Sequence, residues 1–269
     1  MLILAGYLLN FLKGFLPCAF NAYRTADISY FYEGIAELLY VDILHFSGLA
    51  MILFGVYKIT RANTFIIALS AFAFAGLNIL LLTIEVDNFG LASIAGLFWG
   101  TQEYAYFPFL TWAFYPIMGY VFGTFLIRTH DKKKFYAILM FLSASIFIGG
   151  SYLFNVYLEI PSGMMSDSGY YHHILTDNIT FTGLVIFELS LLSMTAKVLP
   201  KFIEKIVARW SKNVTSIFFI HWIIITWSAL FIEPNSLELT QFIIFLIVVV
   251  ILSDGLAYMY GKIKARQKN

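Results

Sequence analysis

The chain contains little charge and almost no cysteine. Asp, Glu, Lys and Arg make up 12% of its 269 residues, whereas a soluble globular domain carries about 25%. The single cysteine, Cys18, cannot form an internal disulfide, which excludes a disulfide scaffold. Hydrophobic residues reach 60%. These values exclude a soluble enzyme and a disordered chain, and they predict a polytopic membrane protein.

Several motifs of soluble enzymes and pumps are missing. The sequence has no GxxxxGK[ST], GxGxxG or GxSxG pattern, which argues against an ATP-driven pump, a dinucleotide enzyme and an α/β-hydrolase. Because the net charge is only +1, nucleic acid is not an expected partner. The apolar runs are also longer than the ~10-residue alternating segments of membrane β-barrels. The expected fold is an all-α transmembrane bundle, with the lipid bilayer as its partner.

Eight apolar runs are long enough to cross a bilayer. We predict spans at residues 2–20, 39–58, 64–84, 108–128, 134–157, 179–199, 213–232 and 239–261. Together they would form one integral-membrane domain, 1–269.

Lys and Arg are distributed unequally between the two sets of connections. All but two of the 17 basic residues lie in or beside the connections 59–63, 129–133 and 200–212 and the tail 262–269. The exceptions are Lys13, inside the first span, and Arg24. The positive-inside rule therefore places both termini in the cytoplasm. The short cytoplasmic turns favour a bacterial plasma membrane.

The opposite connections, at 21–38, 85–107, 158–178 and 233–238, are acidic and aromatic. Their acids and tyrosines include Asp27, Glu33, Glu37, Glu85, Asp87, Glu103, Tyr104, Tyr106, Glu159, Asp167, Tyr170, Tyr171 and Asp177. Such a face is either a solvated surface with aromatic membrane anchors or a binding surface for polar molecules such as sugars.

A few ionisable residues lie inside the predicted spans. Each costs at least ~2.5–3.5 kcal/mol to insert, so each is a candidate for a functional site. They are Lys13, Asp42, His45, Glu188, His221 and Asp254.

Two pairs of these polar residues are three positions apart and share a helix face. Asp42 could orient His45 and raise its basicity, as a general base requires. Asn10 and Lys13 form the second pair. The alternative is that Lys13 and Asp42 form a buried ion pair that only holds two helices together.

Three histidines and one carboxylate have open interpretations. Glu188 and His221 both fall near the middle of the bilayer, where they could share an interhelical hydrogen bond or relay protons. Adjacent His172 and His173 could be half of a metal site, but no Cys, HxH or HExxH pattern supports one. A contact with substrate and a solvated loop are the other interpretations of His172 and His173.

Four segments, from the first predicted span to the seventh, form a recognisable set. They read ILAGYLLNFLKG at 3–14, VDILHFSGLA at 41–50, FPFLTWAFYPIMGYVFG at 107–123 and SKNVTSIFFIHW at 211–222. In their order and spacing they resemble the heparan-α-glucosaminide N-acetyltransferase-like branch of the integral-membrane acyltransferase superfamily.

The resemblance implies an enzyme that takes an acyl group, usually acetyl, from acyl-CoA at the cytoplasmic face. It delivers that group to a saccharide or glycan on the far side of the membrane. Acyl-CoA (acetyl-CoA) is then a co-substrate, no metal is expected, and the chain would act alone or as a homodimer.

Under this hypothesis the polar residues receive roles. His45, oriented by Asp42, and His221 would be catalytic. Pro108 and Pro116 would flank the outer mouth of the cavity. The residues expected to bind substrate are Asn10, Lys13, Trp112, Tyr115, Tyr171, His172, Glu188 and Trp222.

The sequence also departs from the family. Members usually begin with two further helices, which carry an Asp-x-x-Arg-Gly-like motif and the histidine taken as catalytic. This chain begins at what resembles their third helix, so it is expected to be shortened, and that histidine corresponds to no position here. A transporter that uses Glu188, His221 and Asp254 and a non-catalytic relative are the alternatives.

Overall fold

The fold is all-α. A computed structural model describes residues 1–84, 86–99, 105–157, 171–233 and 236–267. Within these ranges the only strand-like pairing is an isolated bridge between Val41 and Ala105. The helices are α1 (Leu2–Asn10), α2 (Leu16–Thr25), α3 (Ser29–Leu39), α4 (Ile43–Thr60), α5 (Thr64–Leu81), α6 (Phe89–Ala95), α7 (Phe109–Trp112), α8 (Phe114–Arg128), α9 (Lys132–Ser151), α10 (Leu175–Thr195), α11 (Lys201–Ser228) and α12 (Leu239–Arg266).

In the part of the chain that the structure describes, two π-helical segments extend these helices. One, Phe11–Phe15, joins α1 to α2, and the other, Tyr152–Tyr157, follows α9. The first segment contains Lys13, which the sequence placed in the first span. A π-helical turn shifts the register of the side chains that follow it and is frequently found at functional sites.

Seven helical stretches of the described chain are long and apolar enough to cross a membrane. They are Leu2–Thr25, Ile43–Thr60, Thr64–Leu81, Phe109–Arg128, Lys132–Phe154, Leu175–Thr195 and Leu239–Arg266. They correspond to seven of the eight predicted spans. The protein is therefore a multi-pass membrane protein.

The remaining predicted span, 213–232, falls mainly in α11, which is not one of the seven. The span contains polar side chains, among them Asn213 and His221, and it stays a prediction. The predicted connection 200–212 is wrong, because Lys201 begins the first turns of α11. The predicted connections 21–38 and 85–107 likewise contain α3 and α6.

The helices group into two compact units. The first unit comprises Met1–Gly6 and Tyr40–Val198, and the second comprises Tyr7–Leu39 and Leu199–Asn269. The boundary between them falls within α1. The single domain expected from the sequence stays a prediction.

In the first unit, α5, α7 and α8 supply the apolar core. Small residues of α5, such as Ala71 and Ala75, let the aromatic side chains Phe109 and Phe114 pack closely against it. Asparagine and aspartate side chains satisfy the backbone N–H groups at helix starts. Asn63 caps α5 and Asp131 caps α9 in this way.

In the second unit, α11 packs along α12, and α2 packs against α3. The π-helical segment is pinned by a hydrogen bond from Nε1 of Trp227 to the carbonyl oxygen of Leu12 at 2.9 Å. The Arg24 side chain donates to the carbonyl oxygen of Leu230 at 3.3 Å. Within the second unit, these two bonds hold the π-helical segment and α2 against the end of α11 and the residues that follow it.

Candidate functional site

Asp42 and His45 are in contact, as their spacing predicts, but through a different set of atoms. Asp42 is the residue before α4, and its carboxylate accepts hydrogen bonds from the backbone N–H of Ile43, at 2.6 Å, and of His45. In return, Nδ1 of His45 accepts from the backbone N–H of Asp42 at 3.1 Å. This reciprocal arrangement is a capping box. The Asp42 main chain, rather than its carboxylate, therefore orients the imidazole.

The His45 ring is completely buried against the backbone of α1. A Cβ atom added at Gly6 would lie only 2.7–2.9 Å from three ring atoms of His45, so only glycine fits there. Because Nδ1 accepts a hydrogen bond, the neutral ring carries its proton on Nε2. With Nδ1 accepting a hydrogen bond and Nε2 carrying the proton, the ring suits a packing and hydrogen-bonding role better than the general-base role expected from the sequence.

The backbone of Val41 connects this cap to an aromatic cluster. Its carbonyl oxygen accepts from the N–H groups of Tyr106, at 3.0 Å, and Phe107, at 3.3 Å. Phe107 in turn packs on Trp112, with ring centroids 4.9 Å apart, and on Tyr171 at 5.8 Å. The start of α4 and the segment before α7 therefore lie next to each other, at the same end of the first unit.

Trp112 and Tyr171 are further fixed by a hydrogen bond. Nε1 of Trp112 donates to the carbonyl oxygen of Tyr171 at 3.0 Å, and the Tyr171 ring lies 4.9 Å from that of Tyr106. All three rings are half-buried. Partly exposed aromatic faces of this kind can pack against the apolar face of a sugar ring.

His173 lies at the centre of the cluster. Its Nδ1 is 2.6 Å from the phenolic oxygen of Tyr115, and its ring packs on Trp112 with centroids 4.7 Å apart. Asn78 donates to the His173 carbonyl oxygen at 3.4 Å and accepts from Thr111 at 3.2 Å. A histidine held at one nitrogen by a tyrosine and at its backbone by a buried amide is well ordered for proton exchange.

His172 is buried beside this pair. Among the described residues neither of its ring nitrogens has a hydrogen-bond partner. Burial, with a smaller contribution from neighbouring His173, lowers the pKa of His172 to about 4. The ring is therefore neutral at neutral pH.

The structure thus brings together four of the predicted substrate-binding residues, Trp112, Tyr115, Tyr171 and His172. The sequence offered a substrate contact as one interpretation of both His172 and His173, but only His172 was among the residues expected to bind substrate. Asn78 and Thr111, which lie in apolar segments, were not among those residues either. A polar side chain within a predicted span was the available signal for Asn78.

Three further predicted site residues lie in the second unit. The Lys13 ammonium lies over the Trp222 ring, 4.8 Å from its centroid, which is a cation–π contact. Asn10 is buried and donates to the carbonyl oxygen of Leu38 at 3.3 Å. These contacts place Lys13 against Trp222 and Asn10 against the end of α3.

His221 and Asp254 line one cavity of about 570 Å³ between α11 and α12. Asp254 also forms an ion pair with Arg209, and Nδ1 of His221 lies 3.0 Å from the carbonyl oxygen of Ile217. Glu188 belongs to the first unit and is exposed on α10. The structure therefore places Glu188 and His221 in different units.

Some residues named from the sequence lie outside the described ranges, namely Glu85, Glu103, Tyr104, Glu159, Asp167 and Tyr170. Within the described ranges no three or more His, Cys, Asp and Glu side chains are grouped closely enough to hold a metal ion.

No protein-family model matches the chain, and comparisons with curated proteins and with solved structures found no match.

Proposed function

We propose that the protein is a membrane-bound acyltransferase. It would move an acyl group, acetyl in the simplest case, from cytoplasmic acyl-CoA to an extracytoplasmic saccharide. The observation that carries this proposal is the cluster of His173, Tyr115, Trp112 and Tyr171, because it joins an ordered histidine to aromatic faces suited to a sugar. The resemblance of four sequence segments to membrane acyltransferases supports the same assignment.

The distribution of charge in the first unit supports the proposed direction of transfer. The cluster lies where α4, α8 and α10 begin and where α5 ends. At the opposite ends of these helices, Lys58 and Arg128 lie in the last turns of α4 and α8, Arg61 follows α4, and Lys132 begins α9. By the positive-inside rule the basic end faces the cytoplasm, so the cluster faces outward. Both termini would be cytoplasmic, in a bacterial plasma membrane.

The proposed chemistry is a transfer from a thioester to a hydroxyl or amino group. The acceptor atom attacks the acyl carbonyl carbon, a new C–O or C–N bond forms, and the C–S bond to CoA breaks. His173 takes the acceptor proton at Nε2, an atom that is buried in the resting structure, so the acceptor must displace the residues that cover it. Its Nδ1–H donates to the Tyr115 oxygen, and the protonated ring then passes the acceptor proton to the leaving thiolate, which gives free CoA. General-base catalysis of this kind contributes about 10²–10⁴-fold.

The aromatic side chains of Trp112 and Tyr171 would position the acceptor. Trp112 and Tyr171 are held by their mutual hydrogen bond, so a sugar packed on them would meet a rigid surface. The capping box of Asp42 and His45 then supports the segment that carries Phe107, through the Val41 carbonyl. In this account Asp42 and His45 are positioning residues.

The test is transfer of label from acetyl-CoA to a glycan by the purified chain in proteoliposomes. Acetylated product should form when acetyl-CoA is on the basic side and the glycan on the other. If a panel of glycans yields no product and the protein does not bind CoA, the proposal fails, and the non-catalytic alternative is favoured.

A second function is favoured by one observation in the second unit. His221 and Asp254 share a cavity, and ionisable groups in membrane cavities serve as proton relays. A transporter of a small polar solute or lipid-linked sugar would lose proton-coupled flux in D254N. Glu188 is exposed in the first unit, so E188Q should leave that flux unchanged.

A further inference from the structure

A second cavity between α11 and α12 differs from the one that His221 lines. Its volume is about 610 Å³, which is within the range of small-molecule sites. The cavity is lined by two lysines, two residues with hydroxyl side chains, one tyrosine and two apolar residues. The lining residues are Lys212, Thr215, Ser216, Phe219, Ile220, Tyr260 and Lys264.

The chemical character of this cavity changes along the helix axis. On α11 the lining passes from the cation Lys212, through the hydroxyls of Thr215 and Ser216, to the hydrocarbon of Phe219 and Ile220. Those positions span eight residues from Ile220 to Lys212, or about 12 Å at 1.5 Å per residue. On α12 the order is the same, because Lys264 lies toward the helix end and Tyr260 lies one turn deeper.

The charges around the cavity are mainly positive. The neighbouring turns of the two helices carry Arg209, Lys262 and Arg266, whereas Lys201 and Lys205 lie about three and two turns farther along α11. Of the acids there, Asp254 pairs with Arg209 and Glu204 is exposed. Neither Lys212 nor Lys264 forms an ion pair with another described residue.

We propose that this cavity binds an anionic phospholipid. The lipid phosphate would lie between Lys212 and Lys264 and accept hydrogen bonds from the Thr215 and Ser216 hydroxyls, while its acyl chain would follow Phe219 and Ile220. The order of cation, hydroxyl and hydrocarbon matches the order of phosphate, glycerol and acyl chain in such a lipid. This proposal does not depend on the proposed acyltransfer.

General membrane electrostatics support this ligand class. Basic pockets between transmembrane helices bind phosphate-bearing lipid headgroups, and each Lys or Arg near an anionic surface contributes about 1 kcal/mol. The apolar lower wall favours a lipid over a free phosphate or a soluble nucleotide, because neither of those carries a chain to cover Phe219 and Ile220.

The test uses the purified full chain in a neutral detergent and a short-chain phosphatidylglycerol as the probe. Calorimetric titration should give saturable binding, and the affinity should fall roughly 30-fold in K212Q/K264Q. The matched control is K201Q/K205Q, which removes the same charge from α11 outside the cavity and should bind like the unaltered protein. K212R/K264R keeps both charges and should retain binding.

Three results would overturn the proposal. Equal losses in the two glutamine pairs would show that only net charge matters. Unchanged binding in K212Q/K264Q would show that the lipid binds elsewhere. Displacement of the phosphatidylglycerol by equimolar CoA or inorganic phosphate would assign the cavity to a soluble phosphate compound.

Discussion

The phenolic oxygen of Tyr115 lies 2.6 Å from Nδ1 of His173, and the His173 ring packs on Trp112. Tyr115 comes from α8 and His173 from the residues just before α10, so tertiary packing alone brings them together. The contact fixes the orientation of the imidazole and the nitrogen that is available for proton exchange with a ligand.

Removing the Tyr115 hydroxyl should therefore lower catalysis more than it lowers stability. We expect Y115F to reduce the rate of acyl transfer by about 10–100-fold and the free energy of unfolding by about 1 kcal/mol. The control is Y120F, since Tyr120 is exposed on the same helix. Initial rates with labelled acetyl-CoA would check this, and equal rates in the two variants would exclude Tyr115 as a positioning residue.

Asp42 offers a test of capping against catalysis. Asparagine is as good an N-cap as aspartate, whereas alanine costs about 1 kcal/mol. We expect D42A to lower the thermal unfolding midpoint in detergent, and D42N to keep both the midpoint and the transfer rate. A D42N protein that is stable but inactive would instead show that the carboxylate charge takes part in the reaction.

Gly6 should tolerate no side chain, because its Cβ would meet the His45 ring at 2.7–2.9 Å. We expect G6A to destabilise the protein by about 1–3 kcal/mol, as overpacking does. In the matched variant, G76A, the added methyl group has nothing within 4 Å and should be neutral or slightly stabilising. Thermal unfolding in detergent measures both, and equal midpoints would contradict the packing described for His45.

The lowered pKa of His172 predicts a pH dependence of stability. The His172 imidazole has a pKa of about 4 in the folded protein against a usual value of 6.5. Between pH 4 and pH 6.5 the unfolded chain therefore binds more protons at this residue than the folded protein does. Folding is then most stable above pH 6.5 and loses stability as the pH falls toward 4. Replacement of the ring in H172Q should flatten that part of the curve; an unchanged curve would show that His172 does not control it.

The membrane class and seven spans could be predicted because apolar runs are a local property of the sequence. The first turns of α11 could not be predicted. Their lysines and arginines are typical of a cytoplasmic connection when charge is the only signal used. Those residues are also good helix formers, and packing along α12 lets the helix begin at Lys201.

Contacts between residues close in the sequence could be predicted in the candidate site, whereas contacts between distant residues could not. The three-residue spacing of Asp42 and His45 correctly indicated contact. Which atoms meet depends on the helix starting at Ile43, whereas the sequence placed Asp42 inside a span that began at 39. The contact of Tyr115 with His173 joins positions 58 residues apart, and no pattern in a single sequence encodes such a distance.

The central claim is that the histidine–tyrosine cluster of the first unit carries out acyl transfer. The most direct measurement is the rate of acetyl transfer to glycan by H173N and by H130N, each in proteoliposomes with labelled acetyl-CoA. His130 is exposed in the basic turn before α9, so H130N should keep its rate within about twofold, while H173N should lose at least about 100-fold. Equal rates in the two variants would contradict the account.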